Sequence, residues 1–219
     1  MKEKIKVLSL FASRGVAEAH LKNLGIEVLV ANEIRTERCK FYKHLYPTSN
    51  IINGSITDKD IYDQIIKEAK KLKVDFILAT PPCQGMSKAG KMKVDDYRNI
   101  LFLYVINIIK ELNPKYVLIE NVQEFLKSNY INHETNNSEN ILKKIKEELD
   151  NKYNFDYSIL NTMNYEVPQS RKRAILVLSN KELPIWKLPK KLDIKIKKIK
   201  DIIYNLPSLE SNEKVRDKL

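Results

Sequence analysis

Short runs of β-branched and other apolar residues alternate with helical patterns in the N-terminal half of the chain, and this alternation is the strongest constraint on the fold. Strands are expected near Ile51 and at residues 5–11, 26–31, 74–79 and 116–119. Helices are expected at residues 16–24, 35–45 and 98–112. A further helix follows Thr57, which is interpreted as its N-cap, with Asp60 at the capping-box position. Such alternation is typical of an α/β domain with a parallel sheet.

The pattern changes in the C-terminal half of the chain. Residues 127–137 are polar and are predicted to form a loop, followed by an amphipathic helix. Residues 155–160 and 174–178 are predicted to be strands with no helix between them, so they should pair as a hairpin. The sequence therefore predicts an α/β fold with a mostly parallel, doubly wound sheet and an antiparallel hairpin. This domain is expected to span residues 1–180, and residues 181–219 form a basic C-terminal extension.

Composition limits the cellular setting and suggests a partner. The 219 residues carry a formal charge of +11, which favours a polyanionic partner, although chains rich in lysine, asparagine and isoleucine are also typical of AT-rich genomes. No run approaches the roughly 20 apolar residues of a membrane span, and no signal-peptide pattern is present, so no membrane partner is expected. Cys39 and Cys83 are the only cysteines and lie far apart. A reducing, cytoplasmic setting is therefore expected rather than a disulfide framework.

Two segments at the carboxyl ends of the first strands could hold a nucleotide-like ligand. The turn after the first strand contains Phe11, Ala12, Ser13 and Gly15, and ligands of open α/β sheets bind at such turns. In this turn only Gly15 lets the backbone approach a ligand closely, so a purely structural turn is the alternative. Glu33 ends the second strand and could accept hydrogen bonds from ribose hydroxyls, the alternative being a solvated glutamate at a helix start.

Reactive side chains are expected beyond the later strands. Cys83 follows the strand at residues 74–79 in a Thr-Pro-Pro-Cys-Gln sequence, outside the apolar run, so a nucleophile explains it better than a core cysteine. Glu120 ends the next strand and should place a carboxylate beside that thiol. Alternate residues at the hairpin should share one face, and these are Gln169, Arg171 and Arg173. The two arginines could hold a base edge or phosphates, or they could be solvated charges on an edge strand.

In their order and spacing, these blocks together resemble the cytosine-5 DNA methyltransferases. The resemblance covers about residues 5 to 210, and its catalytic motifs are Pro82-Cys83-Gln84, Glu120-Asn121-Val122 and Gln169-x-Arg171-x-Arg173. Asn32-Glu33 resembles the family's ribose-binding motif, and the residues from Arg98 onward resemble its next cofactor-side helix. The resemblance implies a Rossmann-like fold, S-adenosylmethionine as cofactor, duplex DNA as substrate and a restriction-modification role.

The resemblance also implies a covalent mechanism on a cytosine that is flipped out of the duplex. Cys83, as a thiolate, attacks C6, and Glu120 hydrogen-bonds the N3 edge. Arg173 contacts the O2 side of the base, and Arg171 helps hold the adduct. C5 then takes the methyl group, and loss of the C5 proton allows Cys83 to be eliminated. The implied cofactor-binding residues are Phe11, Ala12, Ser13, Gly15, Glu33, Ser55, Ile56, Pro82 and Leu101. The implied substrate-binding residues are Gln84, Ser87, Asn121 and Gln169.

Three serines depart from the family's pattern on the cofactor side. Ser13 replaces the first glycine of the first motif, and Ser9 stands where many members have aspartate. Ser55 lies in a Gly-Ser-Ile sequence where the family usually has Gly-Asp-Ile. The hydrogen bond that the aspartate accepts from the adenine amino group is then missing or weaker, so cofactor affinity is expected to be reduced.

The family normally continues into a target-recognition region and a last motif that completes the cofactor pocket. Residues 199–209 resemble the segment just before that region. We therefore expect one subunit of a split enzyme, whose second polypeptide supplies both parts, with a truncated chain or a gene remnant as the alternative. Other functions left open are tRNA cytosine-5 methylation, a catalytically silent regulatory paralogue and, from the fold alone, a dinucleotide oxidoreductase.

Overall fold

A computed structural model of the protein describes residues 4–82, 96–194 and 198–204. The predicted site residues that lie outside the described residues are Cys83, Gln84 and Ser87. The chain forms two compact units, the larger of residues Met1–Ile159 and Arg173–Leu188 and the smaller of residues Leu160–Lys172 and Pro189–Leu219. No helix in the described part of the chain is long and apolar enough to cross a membrane.

The strands and helices follow the predicted alternation through the first 122 residues, with one exception described below. The strands are β1 (Ile5–Leu10), β2 (Ile26–Glu33), β3 (Asn50–Asn53), β4 (Phe76–Ala79), β5 (Tyr116–Val122), β6 (Asn129–Asn132), β7 (Asn137–Asn140), β8 (Tyr153–Asn161) and β9 (Lys172–Asn180). The α-helices are α1 (Thr36–Leu45), α2 (Lys59–Lys71), α3 (Leu101–Leu112), α4 (Ile141–Leu149) and α5 (Ile199–Ile203). Short 3-10 segments lie at Lys22–Leu24, Tyr97–Ile100, Gln123–Lys127 and Thr162–Tyr165.

Seven strands form one sheet in the order β3-β2-β1-β4-β5-β9-β8. β1 to β5 run parallel to one another, and β9 runs antiparallel to β5. The backbone N–H of Thr162 donates to the carbonyl of Arg171 and that of Lys181 to the carbonyl of Lys152, so β8 and β9 close as an antiparallel hairpin. The predicted fold class is confirmed. The chain order reverses between β1 and β4, which is where an open α/β sheet leaves room for a ligand.

Apolar side chains cover both faces of this sheet. The larger core cluster joins one face to the inward sides of α2, α3 and α4. On the other face Trp186 packs edge-on against Phe76 and Tyr116, with ring centroids 5.7 and 6.2 Å away. Strands buried on both sides are mostly apolar, which explains why the sequence predicted them well. Each fully buried large apolar side chain contributes about 1.5–3 kcal/mol.

The predicted helix at residues 16–24 is wrong. These residues form successive turns, of which only Lys22–Leu24 is helical, and Gly25 ends that 3-10 turn at φ 75°. The side chain of Glu18 points inward and bonds Ser9, whereas Val16 is 81% exposed. The segment therefore lacks the apolar stripe that would hold a helix against the sheet.

The predicted loop at residues 127–137 is also wrong, because residues 129–137 lie in a hairpin whose strands β6 and β7 form a second, two-stranded sheet. Asn136 makes the turn between them with φ 55°. Tyr130 anchors the hairpin by packing edge-on against Phe102, with ring centroids 5.0 Å apart. Asn140 then caps α4 by accepting a hydrogen bond from the N–H of Lys143. Tyr130 is the one fully buried residue of β6 and β7, so these strands show no alternation that a sequence pattern could reveal.

The N-cap of α2 is Asp58 and not Thr57. Oδ1 of Asp58 accepts hydrogen bonds from the N–H groups of Asp60 and Ile61 at 2.9 and 3.3 Å. The hydroxyl of Thr57 instead forms a hydrogen bond with the hydroxyl of Ser55 at 2.8 Å. Asp58 thus satisfies two of the free N–H groups at the helix start, which contributes about 1 kcal/mol.

Candidate functional site

A cleft of about 530 Å³ opens at the carboxyl ends of β1 to β4, beside the point where the strand order reverses. Its volume is in the range that small-molecule sites occupy. Its walls include seven of the predicted cofactor-binding residues, namely Phe11, Ser13, Glu33, Ser55, Ile56, Pro82 and Leu101. The other wall residues are Asn32, Ile34, Arg35, Arg38, Gly54, Thr57, Thr80, Tyr97 and Arg98. Ala12 and Gly15 lie in the same turn as Phe11 and Ser13 but do not line the cleft.

The turn after β1 is held in a left-handed conformation. Phe11 and Ser13 have φ values of 58° and 51°, which cost a non-glycine residue about 1–2 kcal/mol each. Three hydrogen bonds retain the shape. The N–H of Ala12 donates to the carbonyl of Asn32 at 2.9 Å, the hydroxyl of Thr80 donates to the carbonyl of Phe11 at 3.1 Å, and the N–H of Ser13 donates to Glu33. Ser13 therefore adopts the left-handed backbone conformation that glycine usually occupies.

Glu33 is the acidic centre of the cleft. Its side chain is buried, with the residue 4% exposed, and it accepts the N–H of Ser13 at 3.0 Å and the N–H of Arg35 at 2.9 Å. The guanidinium of Arg38 lies 3.8 Å from Oε1. The two oxygens of a carboxylate together offer about four acceptor sites, and the two N–H groups occupy two of them. Acceptor capacity therefore remains for the hydroxyls of a ribose.

Gly15 lets the turn pack tightly against α1 and the segment after it. Gly15 has φ 78°, and a Cβ built there would lie 2.2 Å from the ring of Tyr46. The hydroxyl of Tyr46 donates to the carbonyl of Gly15 at 2.6 Å, and its ring packs on Tyr42. The absence of a side chain is therefore required at this position both by conformation and by space.

A buried carboxyl group supports the same turn from behind. The hydroxyl of Ser9 donates to Oε1 of Glu18 at 2.5 Å, and both residues are buried. Burial raises the pKa of Glu18 above its ordinary value, and the hydrogen bond from Ser9 offsets part of that rise. The hydrogen bond from Ser9 thus holds the carboxyl group of Glu18, nine positions later in the chain, near the end of β1.

Another part of the cleft wall, formed by Tyr97, Arg98 and Leu101, follows Asp96 in the chain. The Nε and Nη2 of Arg98 lie 2.8 and 2.5 Å from the two carboxylate oxygens of Asp96, which fixes the guanidinium in a bidentate pair. The N–H of Arg98 also donates to Asp96 at 2.9 Å and caps the 3-10 segment that leads into α3. Leu101, the first residue of α3, adds an apolar side chain to the cleft.

At the end of β5, Glu120 pairs with Arg173. The Nε of Arg173 lies 2.9 Å from Oε1 of Glu120, and the two side chains are 24% and 31% exposed. The antiparallel register of β5 and β9 brings these residues together by placing Arg173 opposite Val122. The structure therefore unites two of the predicted catalytic residues at the carboxyl end of the strand next to β4.

Asn121 connects this pair to the segment that precedes Cys83. Its Nδ2 donates to the backbone carbonyl of Pro81 at 3.1 Å, and its Oδ1 accepts the N–H of Val122 at 2.8 Å. The residue is 2% exposed. Its predicted contact with substrate stays a prediction, and in this geometry its amide braces the backbone two residues before Cys83.

The other two hairpin residues lie in the smaller unit, before β9 begins. Arg171 and Gln169 are exposed, so β9 carries only Arg173 of the three residues that were predicted to alternate on one strand face. The N–H of Arg171 donates to Oδ1 of Asn161 at 3.1 Å, and the carbonyl of Gln169 accepts the hydroxyl of Thr162 at 2.5 Å. These bonds fix the backbone of the connection and leave both side chains accessible.

Known proteins resemble this chain in both sequence and fold. Residues 5–219 match the family model of the C-5 cytosine-specific DNA methylase. The chain belongs to this family. The predicted resemblance is therefore confirmed.

Two curated relatives of this DNA methylase family are similar over most of the chain. The Type II methyltransferase M1.HgaI of Avibacterium volantium is 42% identical over 219 residues, which cover 97% of this chain and 60% of the relative. The Type II methyltransferase M.AquIA of Picosynechococcus sp. is 32% identical over 179 residues, which cover 78% of this chain and 71% of the relative. The chain thus spans little more than half the length of M1.HgaI but more than two thirds of M.AquIA.

The fold is shared with solved structures as well. A crystal structure of a protein encoded within an E. coli prophage superposes with a TM-score of 0.71 at 24% identity, over 94% of this chain and 56% of that chain. At this level of identity the likeness shows the fold alone.

Sequence reasoning missed several cleft residues of this methylase family member. Ile34 follows Glu33 and is 62% exposed, so it offers an apolar surface at the rim of the cleft. Arg38 reaches Glu33 from α1, and Thr57 was interpreted as a helix cap. The one available signal was Ile34, an apolar residue next to an acidic one at the end of a strand.

Proposed function

We propose that this chain transfers a methyl group from S-adenosylmethionine to C5 of a cytosine in duplex DNA. One observation carries the proposal. Pro82, which lines the cleft, and Glu120, which pairs with Arg173, lie at the ends of the neighbouring strands β4 and β5, and Asn121 ties the two ends together. Cys83 follows Pro82 directly, so a donor site and a base site would meet where the nucleophile of the family is expected.

The residues of the cleft fit the methyl donor. Glu33 has acceptor capacity for ribose hydroxyls, and Phe11, Ile34 and Leu101 offer apolar surface to a purine ring. The turn at Ser13 would receive the methionine portion, on the side nearest β4. S-adenosylmethionine would supply an electrophilic methyl group at that place.

The residues at β5 and β9 are proposed to activate the base. Cys83 would add to C6 as a thiolate, and Glu120 would hydrogen-bond the N3 edge and favour its protonation. The pairing with Arg173 would keep the Glu120 carboxyl group in a fixed orientation, and the guanidinium would reach the O2 side. Arg171 would help hold the adduct, and Gln84, Ser87, Asn121 and Gln169 are proposed substrate-side residues. The target cytosine must be flipped out of the duplex, because C5 and C6 are inaccessible in the stack.

Target recognition is proposed to come from residues beyond this sequence, which belong either to the same polypeptide or to a second one. The match covers 60% of M1.HgaI, so a substantial part of that relative has no counterpart in this sequence. The match of 179 residues covers 71% of M.AquIA, so this Type II methyltransferase chain is shorter than M1.HgaI. The second relative supports the proposal of a split enzyme, which would act in the cytoplasm. Residues 1–180 would bind the donor and carry the catalytic groups, and residues 181–219 would lead toward the recognition region.

Methyl transfer from labelled S-adenosylmethionine to mixed-sequence duplex DNA tests the proposal. The chain should be assayed alone and together with the polypeptides encoded by its neighbouring genes. Cys83→Ala should abolish transfer, whereas Cys39→Ala, which removes the buried thiol of α1, should retain it. Transfer to tRNA but not to DNA would favour the RNA alternative, and no transfer to either under any pairing would overturn the enzymatic proposal.

A further inference from the structure

Two hydroxyl groups line the cleft just beyond β3. Oγ of Ser55 and Oγ1 of Thr57 lie 2.8 Å apart, and the N–H of Thr57 lies 3.3 Å from Oγ of Ser55. Both residues belong to the wall of the cleft, with Ser55 half-buried and Thr57 exposed. In such a pair one hydroxyl donates to the other, so the donating and accepting roles can be exchanged by rotating two hydrogens.

The order of the strands decides which end of the methyl donor meets these hydroxyls. The cleft runs along β3, β2, β1 and β4, with Glu33 at the end of β2. On the proposed function, the ribose lies at Glu33 and the methyl group must point toward Cys83, which follows β4. The purine base must then extend in the opposite direction, toward the residues that follow β3. Ser55 and Thr57 are therefore placed at the edge of the base.

The nearby carboxylates are already engaged. Asp58 follows Thr57, but its Oδ1 accepts two N–H groups at the start of α2, and Asp58 does not line the cleft. Glu33 is the one carboxylate among the described wall residues, and its place is at the ribose. Among the described wall residues that follow β3, namely Gly54, Ser55, Ile56 and Thr57, the polar side chains that can meet the Watson–Crick edge of the base are the two hydroxyls.

We propose that the Ser55–Thr57 hydroxyl pair contacts position 6 of the donor's purine and tolerates either an amino or an oxo group there. A carboxylate accepts hydrogen bonds only, so it would bind the 6-amino group of adenine and repel the 6-oxo group of hypoxanthine. A hydroxyl pair can accept from the amino group or donate to the oxo group after a rotation. The inference rests on the proposed donor site and concerns its selectivity, which should be relaxed at this position.

The test compares two homocysteine nucleosides that differ at position 6. The full chain, with its complementing polypeptide where one is needed, is titrated calorimetrically with S-adenosylhomocysteine and with S-inosylhomocysteine. We expect the two dissociation constants to differ by less than about 10-fold in the natural chain. Ser55→Asp should raise the preference for the adenosyl compound to on the order of 100-fold, as expected for a charge-assisted hydrogen bond and a matching repulsion. Ser138→Asp adds the same charge on the β6–β7 hairpin and should leave the ratio unchanged.

A second variant keeps the test independent of how well Ser55→Asp folds. Ser55→Ala combined with Thr57→Val removes both hydroxyls and should weaken both compounds to a similar extent, by roughly 10-fold. The inference would be overturned if the natural chain preferred the adenosyl compound by more than about 10-fold, or if Ser55→Asp left the ratio of the two dissociation constants unchanged. Either result would still support the donor site, because the adenosyl compound binds. Binding of neither compound by the natural chain would overturn the donor site itself and the inference with it.

Discussion

The Nε of Arg173 lies 2.9 Å from Oε1 of Glu120, across the antiparallel pair β5–β9. Because Arg173 stands opposite Val122, its side chain reaches back along the sheet edge to the carboxylate. Both side chains keep a quarter to a third of their surface exposed (24% and 31%), and ion pairs of this accessibility stabilise a fold by roughly 0–1 kcal/mol. The pair therefore matters more for orienting Glu120 than for stability.

Arg173→Ala should separate these two roles. We expect methyl transfer to DNA to fall by on the order of 100-fold, because Glu120 loses its fixed orientation and the base loses a cationic contact. The free energy of unfolding should change by less than about 1 kcal/mol. Single-turnover methylation and urea unfolding measure the two effects. Lys181→Ala removes an exposed cation just beyond the end of β9 and serves as the matched control. Equal activity of the two variants would contradict the assigned role.

Asn121→Ala should damage both the fold and the reaction. The carbonyl of Pro81 would lose its buried donor, which costs about 1–3 kcal/mol of unfolding free energy. Because that carbonyl lies two residues before Cys83, the methylation rate should fall by more than the loss of folded protein accounts for. Thermal unfolding together with activity per folded molecule checks this. A rate that merely follows the folded fraction would show that Asn121 has a structural role only.

Gly15→Ala and Gly25→Ala form a matched pair, since the two glycines have φ values of 78° and 75°. Each alanine should cost about 1 kcal/mol for the left-handed conformation. At Gly25 no atom lies within 4 Å of the new Cβ, whereas at Gly15 it would meet Tyr46 at 2.2 Å. Gly15→Ala should therefore be the more destabilising by at least about 1 kcal/mol in urea unfolding, since Tyr46 also loses its bond to the Gly15 carbonyl. Equal losses would show that Tyr46 moves aside freely.

Glu18 should make the stability of the protein depend on pH. Its pKa is raised in the folded state, chiefly by burial, so the neutral form is favoured by folding. The stabilisation is fully present below the ordinary pKa of 4.5 and is lost as pH rises through the raised value. Relative to Glu18→Gln, the natural chain should therefore lose unfolding free energy as pH rises above 4.5. Urea unfolding of both proteins across this range measures the difference, and parallel curves would contradict a raised pKa.

Local sequence patterns predicted the parallel strands because buried strands are mostly apolar, and β4 is apolar throughout. They also placed Glu33 at the end of β2 and Glu120 two residues before the end of β5, since the boundary of an apolar run lies close to the end of a strand. The helix at residues 16–24 was wrong because the inward side chain of that segment is a glutamate, Glu18. A pattern of hydrophobicity assigns a glutamate to solvent and cannot reveal its hydrogen bond to Ser9.

Long-range contacts are the part of the site that the sequence could not predict. The bond from Asn121 to Pro81 joins residues 40 positions apart, and the pairing of Glu120 with Arg173 depends on the register of β5 and β9. Thr57 shows the same limit over a short distance. Its hydroxyl faces Ser55 because Asp58 takes over the cap of α2, and both residues are common N-caps.

The most direct test of the central claim is a search for a covalent bond between Cys83 and its target base. Duplex DNA that contains 5-fluorocytosine is incubated with the chain, its complementing polypeptide and S-adenosylmethionine, and the adduct is mapped by mass spectrometry. Fluorine replaces the C5 proton whose loss releases the thiol, so a methylated adduct should accumulate on Cys83 and be absent in Cys83→Ala. Methyl transfer to ordinary DNA without any such adduct, or an adduct on Cys39, would contradict the account.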